Sequence, residues 1–234
     1  MISVFNSRIL EIKNLEGNVK ILKLSVPEDF SFRAGQYVSI SVPLDGKKLR
    51  RPYSIASPPK RDGVIELCIK LIENGPASEY VKTLSEGDEI ELFGPAGKFI
   101  IFRDSLQKDI VFVAVGTGIT PFASMIPNLL ENGFKNKIIL IKGFRHEENI
   151  LYDNELEILK RKHKNFEFHN ILSQPKNSKF ENKGYVQDFL GKYISNISKS
   201  DIYICGLSPM INSVKEKAIE MGVPENRIFF EKYD

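Results

Sequence analysis

Apolar and polar residues alternate along the first hundred positions of the chain and then give way to longer apolar blocks. Ile9, Ile12, Val19, Ile21, Leu24 and Val26 fall in short runs separated by turn residues. Tyr37-Val38-Ser39-Ile40-Ser41-Val42 has the composition of a strand that ends at Pro43, and Asp45-Gly46 reads as a turn. Further strands are predicted over 52–56, 64–72 and 89–93. One helix is predicted over 76–84: Pro76 suits a first helical turn, and Tyr80, Val81 and Leu84 share a face. Short strands at turn-separated intervals predict an antiparallel barrel or sandwich.

The period changes after about Gln107. Ile110-Val111-Phe112-Val113-Ala114-Val115 is a continuous apolar run, as expected for a strand covered on both faces. A helix over 121–130 follows, ended by Asn132-Gly133. The pattern then predicts a strand over 137–142, a helix over 153–162, a strand over 166–172 and a short helix over 185–190. A strand over 201–205, a helix over 209–221 and a last strand over 227–230 complete it. Strand and helix in alternation mean parallel βαβ units with helices on both sheet faces. The 234 residues suit two domains of about 100–130 residues each. Apolar periodicity lapses over 102–108. The expected fold is therefore two-domain β plus α/β: an antiparallel β-barrel over 1–104, then a parallel-sheet α/β domain over 105–234.

Composition narrows the function. The formal net charge is +3, from 33 basic and 30 acidic residues, without the basic excess of a nucleic-acid binder. The two cysteines, Cys68 and Cys205, fall in different predicted domains, so no disulfide framework is expected and a reducing compartment is. Without a cysteine cluster an iron–sulfur centre in this chain is not expected, nor is a metal site from His146, His163 and His169, which lack ligand spacing. The N-terminal segment lacks the basic start and apolar run of a leader. No apolar stretch reaches the roughly 18 residues of a membrane span, and the cytoplasm is the expected location.

Two segments carry candidate chemistry. Gly116 and Gly118 directly follow the buried strand and precede a helix. Without side chains they let a phosphate approach the backbone, and N–H groups at a helix start attract anions. Thr117 and Thr120 add hydroxyls, and Pro121 stands where the GxGxxG fingerprint has its third glycine. A plain structural turn is the alternative. In Arg51-Pro52-Tyr53-Ser54 the arginine suits a phosphate and the tyrosine offers a flat face for an aromatic ring. Alternation along a strand puts Arg51 and Tyr53 on one face and Ser54 on the other; a solvated arginine beside a packed tyrosine is the simpler reading. Gly75-Pro76-Ala77-Ser78 adds an anion site at a helix start, and Gly94-Pro95-Ala96-Gly97 reads as a tight structural turn. Cys205, before Gly206, reads as inert core, as does Cys68. His146, Glu147 and Glu148 read as a solvated loop.

In their order along the chain these segments resemble the ferredoxin–NADP reductase superfamily over essentially the whole length. Arg51-Pro52-Tyr53-Ser54 is similar to its RxYS flavin motif, Gly75 to Ser78 to its GxxS element, and Gly94 to Gly97 to its GPxG. Gly116 to Pro121 is similar to its GTGITP pyridine-nucleotide loop, and Cys205-Gly206 with Pro209-Met210 to its CGxxPM segment. The resemblance implies FAD, rather than FMN, as the bound cofactor and NADH or NADPH as co-substrate. Arg51 is then expected on the flavin phosphate, Pro52 and Tyr53 against the isoalloxazine, and Ser54 near flavin N5. Gly75, Ala77 and Ser78 would hold the pyrophosphate. Gly116, Thr117, Gly118, Thr120, Pro121, Gly206, Pro209 and Met210 would hold the dinucleotide. Cys205 and Glu231 would lie near the reacting rings and, with Ser54, form the catalytic set. Hydride would pass from nicotinamide C4 to flavin N5, and electrons on to a ferredoxin- or flavodoxin-like acceptor steered by Lys47, Lys48, Arg50 and Arg51. Lys47 and Lys48 also read as a solvated loop. Two other readings stay open: an NAD(P)H:flavin reductase, and an electron-transfer subunit of a larger complex. Gln174, where many relatives carry arginine, tilts the coenzyme towards NADH, although Lys176 or Lys179 offers charge for a 2′-phosphate. Tyr233 is a candidate C-terminal flavin shield.

Overall fold

The computed structural model describes residues 2–60 and 62–233; Met1 and Asp234, the outer limits of the two predicted domains, lie outside them. The chain divides into two compact units, Met1–Ile100 with Ala123–Asn128, and Ile101–Phe122 with Leu129–Asp234.

The first unit is a curled antiparallel sheet. Its strands are β1 (Ser3–Leu15), β2 (Val19–Ser25), β3 (Tyr37–Leu44), β4 (Lys47–Ser54), β5 (Val64–Lys70) and β6 (Glu89–Ala96), in the order β4-β3-β6-β1-β2-β5. The two edges meet beyond β4 through a single bridge between Ile55 and Leu67, so the barrel closes at one end only. Two hairpins are set by pairs of left-handed residues, Gly17-Asn18 and Asp45-Gly46, whose twist matches that of the strands they join. Helix α1 (Pro76–Thr83) buries Ala77 and Val81 in a core with Leu22, Val38, Ile40, Ile65, Leu67 and Leu92.

Three details of this unit depart from the sequence reading. β3 runs through Pro43 to Leu44, because its pairing with β6 stops at Ile40 and the proline, lacking an N–H, needs a partner on the β4 side only. Lys47 and Lys48 are not loop residues: they open β4, paired with Leu44 and Pro43. Gly94-Pro95-Ala96 is not a turn but the end of β6, where Gly94 pairs with Ser3 and Ala96 with Tyr37. A Cβ on Gly94 would lie 2.9 Å from a Val38 methyl, which explains the glycine by close strand packing.

The second unit is a five-stranded parallel sheet of β7 (Ile110–Val115), β8 (Ile138–Phe144), β9 (Phe166–Leu172), β10 (Asp201–Gly206) and β11 (Ile228–Lys232). Helices α2 (Thr120–Glu131), α3 (Asp153–Lys162), α4 (Leu190–Tyr193) and α5 (Ser208–Glu220) connect them. Every residue of β8 and β10 is buried, Lys142 and Asp201 included, as expected for strands covered on both faces. Gly133, at φ +80°, ends α2 in a Schellman motif: its N–H donates to Leu130 and that of Phe134 to Leu129. The order β11-β10-β7-β8-β9 means that the chain builds outward from β7 in one direction, then returns to build in the other. The carboxyl ends of β7 and β10 therefore flank the point where strand order reverses, the place where open α/β sheets bind ligands.

Candidate functional site

In the second unit the fold brings two distant motifs into contact at that reversal point. β7 ends at Val115 and leads into a 3₁₀ turn, Gly116–Ile119, before α2. Gly116 has φ +57° and open space where a Cβ would stand. Gly118 faces the opposite constraint: a Cβ there would lie 2.2 Å from the Cys205 carbonyl oxygen and 3.0 Å from the Gly206 nitrogen. Only glycine lets the turn pass so close to β10. Thr120 Oγ1 donates to the Thr117 carbonyl at 2.6 Å and is buried, so this hydroxyl braces the turn from inside. Pro121 is buried in the first turn of α2.

Cys205 pairs in register with Ala114 on one side and Glu231 on the other. Its thiol is fully buried and pushed well above its ordinary value, first by burial and then by the Glu231 carboxylate; a hydrogen bond from Tyr233 opposes both. Tyr233 is tied down by its own N–H, which donates to Gly206 O at 3.0 Å. Gly206, at φ +155°, would with a Cβ meet the Met210 methyl at 2.5 Å, so Met210 in the first turn of α5 packs directly over it.

A cavity of about 360 Å³ opens at the same edge of the sheet. Val115, Pro209 and Met210 line it, together with Gly143 and Phe144 from the end of β8, Ser173 after β9, and Tyr185 and Leu207. Of these the sequence motifs single out Val115, Pro209 and Met210. Gly143 carried a usable signal, a glycine at the end of an apolar strand, as at Gly116. Beside the cavity, Gln174 Oε1 accepts from Arg145 Nε at 3.1 Å. Arg145, which follows Phe144, is a cation that the motif reading missed. Lys176, by contrast, is paired with Glu148 at 2.6 Å, and the Glu147 carboxylate caps the N–H groups of Lys176 and Asn177, both at 2.9 Å. His146, Glu147 and Glu148 thus belong to a bonded pair of loops rather than a free one.

In the first unit, β4 is the edge strand beside β3, which accommodates Pro52. Arg51 is exposed, and its guanidinium donates to the Arg50 carbonyl at 3.2 Å. The Tyr53 ring is half-buried against the barrel core. Its hydroxyl is raised above its ordinary value by burial, and the Arg51 charge works against that rise, as expected for neighbours on one strand face. Ser54 is buried. Gly75 is the N-cap of α1, and Ser78 Oγ accepts the Ile72 N–H at 2.8 Å, which pins the loop to the helix and leaves the hydroxyl proton to donate elsewhere. Of the predicted steering cations, Lys48 is paired with Glu91 at 2.5 Å and Arg50 lies 4.1 Å above the Phe93 ring. Among the described residues no group of three His, Cys, Asp or Glu side chains is placed to hold a metal ion, and no helix is long and apolar enough to cross a membrane.

These arrangements fit the two nucleotides the motifs imply. An exposed guanidinium, a flat half-buried ring and a helix start suit a flavin and its phosphates. A glycine turn at the strand-order reversal, opening beside a mostly apolar cavity, suits a dinucleotide.

Comparison with known proteins gives two family matches: the oxidoreductase FAD-binding domain over residues 6–101 and the oxidoreductase NAD-binding domain over residues 112–216. The chain is 33% identical over 239 residues to ferredoxin–NADP reductase B of Sorangium cellulosum, covering 98% of both proteins. It is 35% identical over 228 residues to the reductase component of phenol 2-monooxygenase from a Pseudomonas species, covering 94% of this chain but 63% of that protein. Among solved structures, the ferredoxin–NADP⁺ reductase of Plasmodium falciparum superposes with a TM-score of 0.82 at 26% identity, over 98% of this chain and 96% of that one.

Proposed function

Because the chain belongs to the ferredoxin–NADP reductase family and is an FAD-dependent NAD(P)H oxidoreductase, we propose that its two units divide the work near residues 102–108, the first holding FAD and the second the pyridine nucleotide. The observation that carries this reading is the approach of Gly118 to Cys205 at the strand-order reversal, beside a cavity of about 360 Å³. Bound FAD supplies the chemistry that neither unit has by itself, accepting two electrons together and releasing them singly.

The side chains bind, orient and exclude water. Arg51 takes a flavin phosphate through charge-assisted hydrogen bonds, while Pro52 and Tyr53 cover the ring system and Ser54 offers a hydroxyl at its edge. Gly75, Ala77 and Ser78 present the first-turn N–H groups of α1 to the pyrophosphate. Gly116, Thr117 and Gly118 do the same for the nicotinamide nucleotide, with Thr120 and Pro121 fixing the turn. Gly206, Pro209 and Met210 shape the opposite wall. Cys205 keeps its proton, since burial and the Glu231 carboxylate both raise the thiol. It therefore bounds the reacting ring as a compact neutral group rather than as a nucleophile, and Glu231 supplies fixed negative charge beside it.

The acceptor is a ferredoxin- or flavodoxin-type protein, in keeping with the ferredoxin–NADP reductase to which the chain is similar. Free flavin, or a partner subunit, is the alternative. For the coenzyme, Gln174 and the pairing of Lys176 with Glu148 favour NADH. Arg145, with its guanidinium held by Gln174, supports NADPH as the second reading. The test is the visible spectrum of the purified protein, recorded anaerobically before and after NADH and then NADPH. A flavin band bleached by one nucleotide at low concentration supports the reading and fixes the coenzyme. A protein that stays colourless after incubation with FAD and FMN overturns it.

A further inference from the structure

Lys142 is the one buried lysine or arginine among the described residues of the second unit, and the reading above leaves it unused. It lies on β8 directly before the cavity residues Gly143 and Phe144 and is fully buried. Its ammonium donates to the Leu151 carbonyl at 2.8 Å and to Asp153 Oδ1 at 2.7 Å. The Phe168 and Phe144 rings complete the cage at 5.2 and 5.4 Å. Asp153 also accepts from Asn170 Nδ2, at 3.0 and 3.2 Å, so its carboxylate ties β9 to the same point. Between the two acceptors Tyr152 holds φ +61°, a conformation that side chains rarely adopt. The chain is thus bent against its local preference to bring both acceptors to one ammonium.

Burying an ammonium is expensive, and an apolar side chain of similar size often stabilises a fold as well or better. A charge kept in such a place specifies a geometry. Here the geometry is that of the 144–153 loop. Its near end is fixed to the exit of β9: Ser173 N–H donates to Phe144 O at 3.0 Å, Gln174 N–H to Arg145 O at 2.9 Å, and Arg145 Nε to Gln174. Its far end is fixed by Lys142. We infer that Lys142 is a positioning residue for the dinucleotide: by tethering Leu151 and Asp153 to β8 it holds the loop that leaves the cavity residue Phe144 and places Arg145. This rests on the proposed pyridine-nucleotide reading of the second unit and adds to it that the cavity takes the adenosine half of NAD(P)H. Lys142 touches no part of that nucleotide; it acts through the loop.

The test uses the FAD-loaded full chain with Lys142→Met, which keeps the volume, and Asp153→Ala, which removes the tether from its half-exposed side. Three quantities are measured: KM for the preferred coenzyme, the flavin reduction rate at saturation, and calorimetric affinity for 5′-AMP and 2′,5′-ADP, which fill the adenosine site without electron transfer. The expected result is a KM and a fragment Kd each raised roughly tenfold, with the saturating rate within about twofold of the parent. A merely structural role would lower the unfolding temperature and leave this split absent. Parent-like fragment affinity in a folded variant overturns the inference and leaves the site reading standing. No fragment affinity in the parent protein overturns the site reading, and the inference with it. Should Lys142→Met fail to fold, Asp153→Ala alone decides.

Discussion

Two residues at the reversal point are tightly enclosed, and each carries predictions. Gly118 has no space to spare: a Cβ would sit 2.2 Å from a backbone carbonyl that belongs to a central strand and cannot move aside. Gly118→Ala is expected to cost about 1–3 kcal/mol of stability, the usual penalty of overpacking, and to weaken coenzyme binding because the turn must lift away from β10. Chemical denaturation and the KM for NAD(P)H check both effects; an unchanged midpoint would mean that β10 yields more easily than a paired strand should. Cys205 is tight in another sense. Its thiol is buried and raised, so at pH 8 it remains protonated and enclosed. Iodoacetamide is expected to leave it unmodified in the folded protein and to label it after unfolding, as read by mass spectrometry. Cys205→Ala is expected to slow single-turnover reduction while flavin stays bound, since it removes the thiol proposed to bound the reacting ring and leaves the proposed flavin ligands Arg51 to Ser54 unchanged.

Strands and helices differ in how openly their sequences announce them. α3 and β9 are legible at their observed bounds, 153–162 and 166–172, because one shows helical spacing and the other opens on the alternation Phe166-Glu167-Phe168 and closes on Ile171-Leu172, with turn residues on both sides. β4 is not legible at its start. Lys47, Lys48, Arg50 and Arg51 are exposed on an edge strand, so its polar residues carry no inward alternation, and only the backbone pairing with β3 reveals it. The site follows the same rule. Glycines and the Arg51–Ser54 run are legible because their chemistry is local. Arg145 and Lys142 are not, because their partners Gln174 and Asp153 lie 29 and 11 positions away. His169 belongs with these. It stacks on Tyr193 with ring centroids 3.6 Å apart, and its Nε2 is buried without a hydrogen bond. Burial lowers its pKa below the ordinary 6.5, outweighing the attraction of Glu167. The folded protein thus keeps the ring neutral while the unfolded chain takes up a proton. Stability conferred by this packing is complete above pH 6.5 and falls as the pH drops from there towards the lowered folded value. The unfolding temperature of the parent should therefore fall between pH 7 and 5 by more than that of His169→Phe, which keeps the stack without the titration. Parallel pH curves for the two would remove His169 from the acid response.

At the scale of the whole molecule the question is what guides an acceptor to the flavin. The formal net charge of +3 is too small to steer anything by itself. Steering must come from a local patch, and β4 with its hairpin is the candidate. Lys48 contributes little there, since Glu91 neutralises it at 2.5 Å. Arg50 stays charged over the Phe93 ring, and Lys47 makes no ion pair among the described residues. These two cations precede Arg51, the proposed flavin-phosphate ligand, on β4, so charge attracted to them is brought to the strand proposed to hold the cofactor. Lys47→Glu with Arg50→Glu is expected to raise the KM for an acidic ferredoxin or flavodoxin several-fold at low salt, through slower association. The gap between variant and parent should close as ionic strength rises past about 0.15 M, where the Debye length falls to roughly 8 Å. Reduction of the flavin by NAD(P)H, followed without any protein acceptor, should be unchanged in the variant. A gap that persists at high salt would mean that the two residues pack against the acceptor rather than steer it. No gap at any salt would move the docking surface off β4, and free flavin would then become the better candidate for the acceptor.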